Sequence, residues 1–408
     1  MNKELLEPYI SSLKEEERYR HLSLLNEAIA RFGDGDYHFV SSPGRSEIGG
    51  NHTDHQLGNV LCASLNIDNL AVFKKRDDLK VTFIDRKLGT VSIDLDDLSV
   101  RDDEKNTSAS LIRGIAYFLK QDHEIAPHGF DALCDPKVLI GSGISSSACF
   151  ELMIAYIFAY LDGRKEKCYY SSCCAKAENH YFGKPSGELD QYAIENGGFT
   201  AIDFGHEGGK KIEQYDFSFD QYGYKLVLVN TKGSHDNLSD EYGKIPAEMK
   251  AVARELGADV LRKTSPEEFY AELPRIRKML GNDRALLRAI HFYEEDRRAA
   301  EEKEAVKQKD IRRLLALMKE SGRSSFMYLQ NIYVDPLHQN LTLALALSEK
   351  VLGDEGACRV HGGGFEGTIQ AIVPLEKIDE YKRVLGSVFG EDALLFVDIR
   401  KNGTCITI

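Results

Sequence analysis

The 408-residue sequence predicts an α+β protein of two domains. Three features lead there. The length exceeds what one hydrophobic core usually serves. Runs of short strand candidates are followed by helices rather than alternating with them one for one. The second half is dominated by long, charged helical stretches. No repeat or low-complexity linker marks the junction, but Gly205, Gly208 and Gly209 cluster near it, and the division is set at 1–210 and 211–408.

Residues 3–32 read as one helix, with Leu13, Leu22, Leu24, Leu25, Ile29 and Phe32 on its apolar face. Strand sequence begins at Tyr37 and continues in 59–67, 70–74, 80–84 and 90–93. A helix is expected near 107–119, then extended chain at 130–134 and 137–140. Residues 145–161 are apolar nearly all round, as in a buried helix. Helices at 169–181 and 187–195 and a strand at 199–203 complete the first half. The second half opens with a strand at 225–229 and continues with helices at 241–256, 284–307, 310–324 and 338–350. Strands at 359–361, 368–373 and 394–399 flank a helix at 375–385.

Fifty-two Lys and Arg against 65 Asp and Glu give a net charge of −13, which repels phosphate backbones and disfavours a nucleic-acid partner. No apolar export segment follows the N-terminus, and the longest apolar run, Leu152 to Leu161, is half of the ~20 residues a membrane span needs. The eight cysteines form no C-x-x-C pair and are spread along the chain, as in a reduced cytoplasmic protein. No obligate protein partner is evident.

Four segments can carry chemistry. Gly141-Ser142-Gly143-Ile144-Ser145-Ser146-Ser147 lies between a strand candidate and the buried helix. Its glycines let backbone amides approach a ligand, its serines add donors, and the helix start adds positive potential, so it describes a phosphate cradle. It is neither a Walker A loop nor a dinucleotide fingerprint, and a simple capped helix has the same look. Pro43-Gly44-Arg45-Ser46-Glu47-Ile48-Gly49-Gly50-Asn51-His52-Thr53-Asp54-His55 is dense in groups that can grip sugar hydroxyls; His52, Asp54 and His55 are also metal-ligand types. Lys176-Ala177-Glu178-Asn179 and Pro185-Ser186-Gly187-Glu188-Leu189-Asp190-Gln191 place carboxylates near a helix start, for acid–base work, metal binding or a favourable helix dipole. His361-Gly362-Gly363-Gly364-Phe365-Glu366-Gly367-Thr368 allows tight packing against a ligand or another loop, or a plain hairpin turn.

Taken in this order, the segments resemble the galactokinase branch of the GHMP kinases, and Ser239-Asp240-Glu241-Tyr242 is similar to that family's sugar-binding tyrosine segment. The likeness covers nearly the whole chain. It implies a two-domain GHMP kinase fold, a ribosomal protein S5 domain 2-like N-terminal domain and a ferredoxin-like C-terminal domain, with the active site in the cleft between them. It implies ATP and Mg2+ as cofactors and transfer of the γ-phosphate to the C1 hydroxyl of galactose. By resemblance Asp190 is the catalytic aspartate and Arg45 stabilises developing charge. Gly141, Ser142, Gly143, Ile144, Ser145, Ser146 and Ser147 bind ATP, Ser147 and Glu178 hold the metal, and Asn51, His52, Thr53, Asp54, Gly187 and Tyr242 contact sugar. Arg45 beside Asp190 is expected to depress the aspartate pKa.

The chain departs from the family at Asn51, where a glutamate contacts the sugar's 6-hydroxyl, and at His55, Ser186 and Glu366. Asn51 either holds the same hydroxyl or, lacking charge, admits a C6 carboxylate such as that of galacturonate. A further alternative is a non-catalytic sensor of sugar and ATP; retention of Arg45, Ser147, Glu178 and Asp190 favours an enzyme. Mevalonate or homoserine kinase activity is disfavoured by residues 51–54 and Tyr242.

Overall fold

The computed structural model describes residues 3–138, 143–164, 169–184, 186–232, 239–365 and 367–407. In chain order its strands are Tyr37–Gly49 (β1), Asn59–Lys75 (β2), Lys80–Asp85 (β3), Gly89–Asp94 (β4), Phe130–Pro136 (β5), Phe199–Asp203 (β6), Lys211–Tyr215 (β7), Tyr224–Asn230 (β8), Ala357–Val360 (β9), Thr368–Pro374 (β10), Leu394–Val397 (β11) and Cys405–Ile406 (β12). Its helices are Lys3–Ser12 (α1), Glu15–Phe32 (α2), Ser108–His123 (α3), Ser146–Leu161 (α4), Ser171–Ala177 (α5), Leu189–Asn196 (α6), Ser239–Glu255 (α7), Pro266–Leu280 (α8), Asp283–Gln308 (α9), Ile311–Ser324 (α10), Asn340–Leu352 (α11) and Ile378–Phe389 (α12).

Two sheets organise the chain. The larger runs β12-β1-β2-β5-β3-β4, with β6 also on β2 and β7 on β6; the smaller is β11-β8-β10-β9. The strand at 59–75 is continuous, not two strands, because its first part pairs with β6 and its later part with β5. The sheets separate in the turn between β7 and β8, and β12 then crosses back to pair Val40 with Ile406 and Ser41 with Cys405. The arrangement is α+β with two sheets, as the sequence predicts.

Local sequence explains most elements. Thr107, Ser265, Asn282 and Asp310 cap α3, α8, α9 and α10 by accepting a first-turn N–H. The apolar α4 is buried between the large sheet and α3, α5 and α6. The single helix expected over 3–32 is broken at Leu13–Lys14: Ser12 turns its hydroxyl onto the Tyr9 carbonyl at 2.6 Å, a local bond that competes with helix continuation. Leu22, placed on the apolar face by periodicity, is exposed, off the face of α2 that buries Leu24, Leu25 and Ala28. Lys137 and Val138 are not strand, and 139–140 lie outside the described residues. No described helix is long and apolar enough to cross a membrane.

Strand β1 is buried over nearly its whole length, with register shifts against β2 at Pro43/Arg45 and Glu47/Gly49. Such bulges re-aim side chains. Here they bring Glu47 to Arg359 of β9 (Nη2 to Oε1, 2.7 Å), while Arg359 Nη1 donates to the Ile48 carbonyl at 2.6 Å. Burial pushes the Glu47 carboxyl up to about 7 despite the opposing pull of Arg359 and Arg45. This contact joins the two sheets. Removing one partner leaves a buried polar group unmatched, so R359M should cost about 3–5 kcal/mol in urea unfolding, and the double variant E47Q/R359M should lose less than the sum of the single losses. An unchanged midpoint in R359M would refute the pair's structural weight.

Candidate active site

The structure brings the start of α4 against the start of α6. Gly141 and Ser142 lie outside the described residues. Gly143 (φ 75°) and Ser145 (φ 62°) are both left-handed; for serine this conformation costs about 1–3 kcal/mol and must be held by its surroundings. Arg45 supplies part of that hold: its backbone N–H donates to the Ile144 carbonyl at 3.2 Å and its Nη1 to the Gly143 carbonyl at 2.7 Å. Ser145 occupies the N-cap position of α4 but does not cap it; its hydroxyl donates to Asp190 Oδ2. Ser146 and Ser147 then open the helix, whose first-turn N–H groups face forward, the arrangement that binds anions.

Asp190 lies in the first turn of α6, and Arg45 Nε donates to its Oδ1 at 2.6 Å. Burial alone would raise the Asp190 pKa. The Arg45 guanidinium, helped by the Ser145 hydroxyl, outweighs it and holds the carboxyl below its ordinary range.

Glu178 opens a π-helical turn, Glu178–Phe182, that continues α5. Its Oε1 accepts from Ser147 Oγ at 3.2 Å and Lys184 Nζ at 3.1 Å, and its Oε2 from Ser186 Oγ at 2.5 Å and Gln191 Nε2 at 3.3 Å. Gln191 Nε2 also donates to Glu151 Oε2 at 2.9 Å. Glu151, Gln191 and Glu178 are all buried, so one amide ties the Asp190 helix to both carboxylates.

The segment 51–54 meets the glycine loop. Asn51 Nδ2 donates to the Gly362 carbonyl (2.8 Å), His52 Nε2 to Gly363 (3.0 Å) and the Tyr242 hydroxyl to Gly364 (2.9 Å). Three successive carbonyls are thus each taken by a residue expected to contact sugar. Burial lowers the His52 pKa to about 4, so the ring is neutral near pH 7, and with its Nε2–H on Gly363 the Nδ1 lone pair is the acceptor. Gly363 lets the Tyr242 ring approach the loop closely; a Cβ there would come within 2.5 Å of Cε1.

Asn51 differs from expectation. It is wholly buried; Nδ2 also donates to Glu47 Oε1 at 2.9 Å, and Oδ1 accepts from Asn331 Nδ2 at 2.9 Å and Ser325 Oγ at 3.2 Å. Its side chain is spent on protein. Thr53 is likewise internal, donating from Oγ1 to the carbonyls of Gly50 and Asn59. Asp54 instead faces Gly187 and Asp190. A Cβ at Gly187 would lie 1.7 Å from Asp54 Oδ2, so only glycine permits the approach. Burial, with the Asp190 charge adding to it, raises the Asp54 carboxyl to about 6.

Glu151, Lys184 and Asn331 carry polar contacts here that the sequence motifs do not include, and Gln191 gains a role within its motif. Glu151 had a signal: it sits four residues after Ser147 in an otherwise apolar helix, hence on the same face. Asn331 had none, since it meets Asn51 from a distant part of the chain.

Two outcomes follow from this geometry. N51D should place a carboxylate beside Glu47 and lose both donor bonds, lowering stability by about 3 kcal/mol in thermal or urea unfolding; a neutral effect would contradict the buried position. For Asp54, the folded chain holds its proton to higher pH than the unfolded chain, so this group costs stability as pH rises from 3.8 to about 6. Over the same range the carboxylate that can accept from a sugar hydroxyl appears, so sugar kcat/KM should rise through about pH 6 and level off. D54N should abolish that limb; a limb unchanged in D54N would assign it elsewhere.

Comparison with known proteins gives concordant results. Residues 29–75 match the galactokinase galactose-binding signature and residues 110–198 the GHMP kinases N terminal domain. A galactokinase of Glaesserella parasuis is 27% identical over 364 residues, covering 87% of this chain and 90% of that protein. The crystal structure of Lactococcus lactis galactokinase complexed with galactose aligns with a TM-score of 0.81 at 25% identity, over 94% of this chain and 99% of the other. Methanococcus jannaschii mevalonate kinase shares the fold alone, with a TM-score of 0.62 at 13% identity over 90% and 99% of the two chains. The chain is thus similar over nearly its whole length to galactokinases, and two of its segments match models of that signature and of the GHMP kinases.

Proposed function

We propose that this chain transfers the γ-phosphoryl group of ATP to the C1 hydroxyl of galactose, giving galactose 1-phosphate and ADP. The observation that carries the reading is the convergence of Arg45, Ser145 and Asp190 at the N-terminus of α4. A polyphosphate on that helix start would present its terminal phosphorus to a hydroxyl held by Asp190. The O1–P bond forms as the bond from phosphorus to the β-bridging oxygen breaks; ADP departs with that electron pair, and the O1 proton passes to Asp190. A loose transition state asks little base strength, which suits a carboxylate held ionised by Arg45. Asp190 then mainly orients the hydroxyl, taking its proton as the new bond forms.

We infer that Ser147 and Glu178 would hold Mg2+. A hydroxyl and a carboxylate converging at 3.2 Å are hard oxygen donors of the type this ion prefers. When bound it would neutralise charge on the phosphate oxygens. The aligned galactokinase's galactose supports galactose as the sugar here. Because Asn51 is engaged by Glu47, Gly362, Ser325 and Asn331, its lack of charge opens no place for a C6 carboxylate, and galacturonate loses its basis. Retention of Arg45 bonded to Asp190 and of Ser147 bonded to Glu178 supports an enzyme over a sensor. We place the reaction in the cytoplasm, in keeping with seven described cysteines that are all free thiols.

Coupled ADP release should be measured with galactose, galacturonate, glucose, N-acetylgalactosamine and arabinose. Galactose should give the highest kcat/KM. ATP binding without release for any sugar would favour the sensor. D190N should abolish turnover and leave ATP affinity within about twofold, since the substitution is isosteric and removed from the helix amides; near-normal turnover would remove Asp190 from the mechanism.

A further inference from the structure

We propose that Lys184 is a further catalytic residue, a cation that binds the β- and γ-phosphate oxygens of ATP during transfer. The inference rests on the kinase reading above.

The position of its ammonium comes first. Lys184 follows the left-handed Gly183 that ends the π-helical turn, and its Nζ reaches back to within 3.1 Å of Glu178 Oε1. The same carboxylate oxygen accepts from Ser147 in the first turn of α4, at 3.2 Å. The ammonium therefore sits beside the helix start that receives the polyphosphate. Its charge faces Glu178, Asp190 and Glu151 together.

The second point is what Lys184 does not do for the fold. Its side chain is 58% exposed while that of Glu178 is 2% exposed. A pair with one half-exposed partner is worth little to stability. Glu178 also keeps three other donors, from Ser147, Ser186 and Gln191, which fix its orientation without the lysine. The ion pair is thus cheap to exchange.

The third point is the division of labour with Arg45. That guanidinium is 7% exposed and committed through Nε to Asp190 and through Nη1 to the Gly143 carbonyl. Held through Nε and Nη1, it offers developing charge a fixed partner rather than a mobile one. A lysine is a compact charge on a four-carbon stem, suited to track phosphate oxygens. As the bond to the β-bridging oxygen breaks, negative charge grows on the ADP side, within reach of a side chain anchored at 184.

The test compares wild type with K184M and K184R. Calorimetry should give affinities for AMP, ADP and ATP with Mg2+, alongside kcat and thermal unfolding. K184M should bind ADP and ATP about tenfold more weakly, leave AMP unchanged, and lower kcat about 10²-fold, with K184R recovering part of each loss. Equal affinities for all three nucleotides and normal turnover in K184M would overturn the proposal. So would an equal loss for AMP, ADP and ATP with a lowered unfolding midpoint, which marks a structural lysine. Wild type that binds no nucleotide would instead overturn the kinase reading, and this proposal with it.

Discussion

The ion pair between Arg45 and Asp190 is the constraint on which the site depends. One residue comes from a bulged strand of the large sheet, the other from the first turn of a short helix, and neither would be ordered in this way alone. Arg45 also binds the Gly143 carbonyl, so one guanidinium sets both the carboxylate and the loop that leads into α4. Ser145, held left-handed, then gives its hydroxyl to Asp190 instead of to its own helix. The helix start keeps its donors for an anion because the cap has been assigned elsewhere.

The glycine loop does the corresponding work around residues 51–54. Its three consecutive carbonyls receive Asn51, His52 and Tyr242, which come from two different regions of the chain. The loop lies between the two sheets, following β9 and preceding β10, next to the Glu47–Arg359 contact. Sheet-to-sheet packing and the placement of these polar side chains are therefore one problem, solved by a stretch without side chains of its own.

Much of this was legible in the sequence because the informative residues sit at fixed offsets along single elements. The loop and buried helix through 143–161, the short helix bearing Asp190 and the long helices of the second half follow from local periodicity and breakers. Helix α8 was legible too, since Ser265-Pro266-Glu267-Glu268 is a capped helix start, yet reading by apolar period passed over it. The inward turn of Asn51 was not legible. It depends on Ser325 and Asn331, remote in sequence, and on two bulges that no residue pattern in β1 announces. The same holds for Lys184, whose meaning comes only from the fold-back of a π-helical turn onto α4.

The return of β12 to β1 has a consequence for how the chain can be divided. Every other strand of the large sheet lies before residue 216, yet its edge is completed by residues 405 and 406, after the whole of the small sheet has been traversed. The N-terminal half is thus no autonomous module. Its border strand at β1 comes from residues that are synthesised only after the whole of the small sheet, so that edge waits on the far end of the polypeptide.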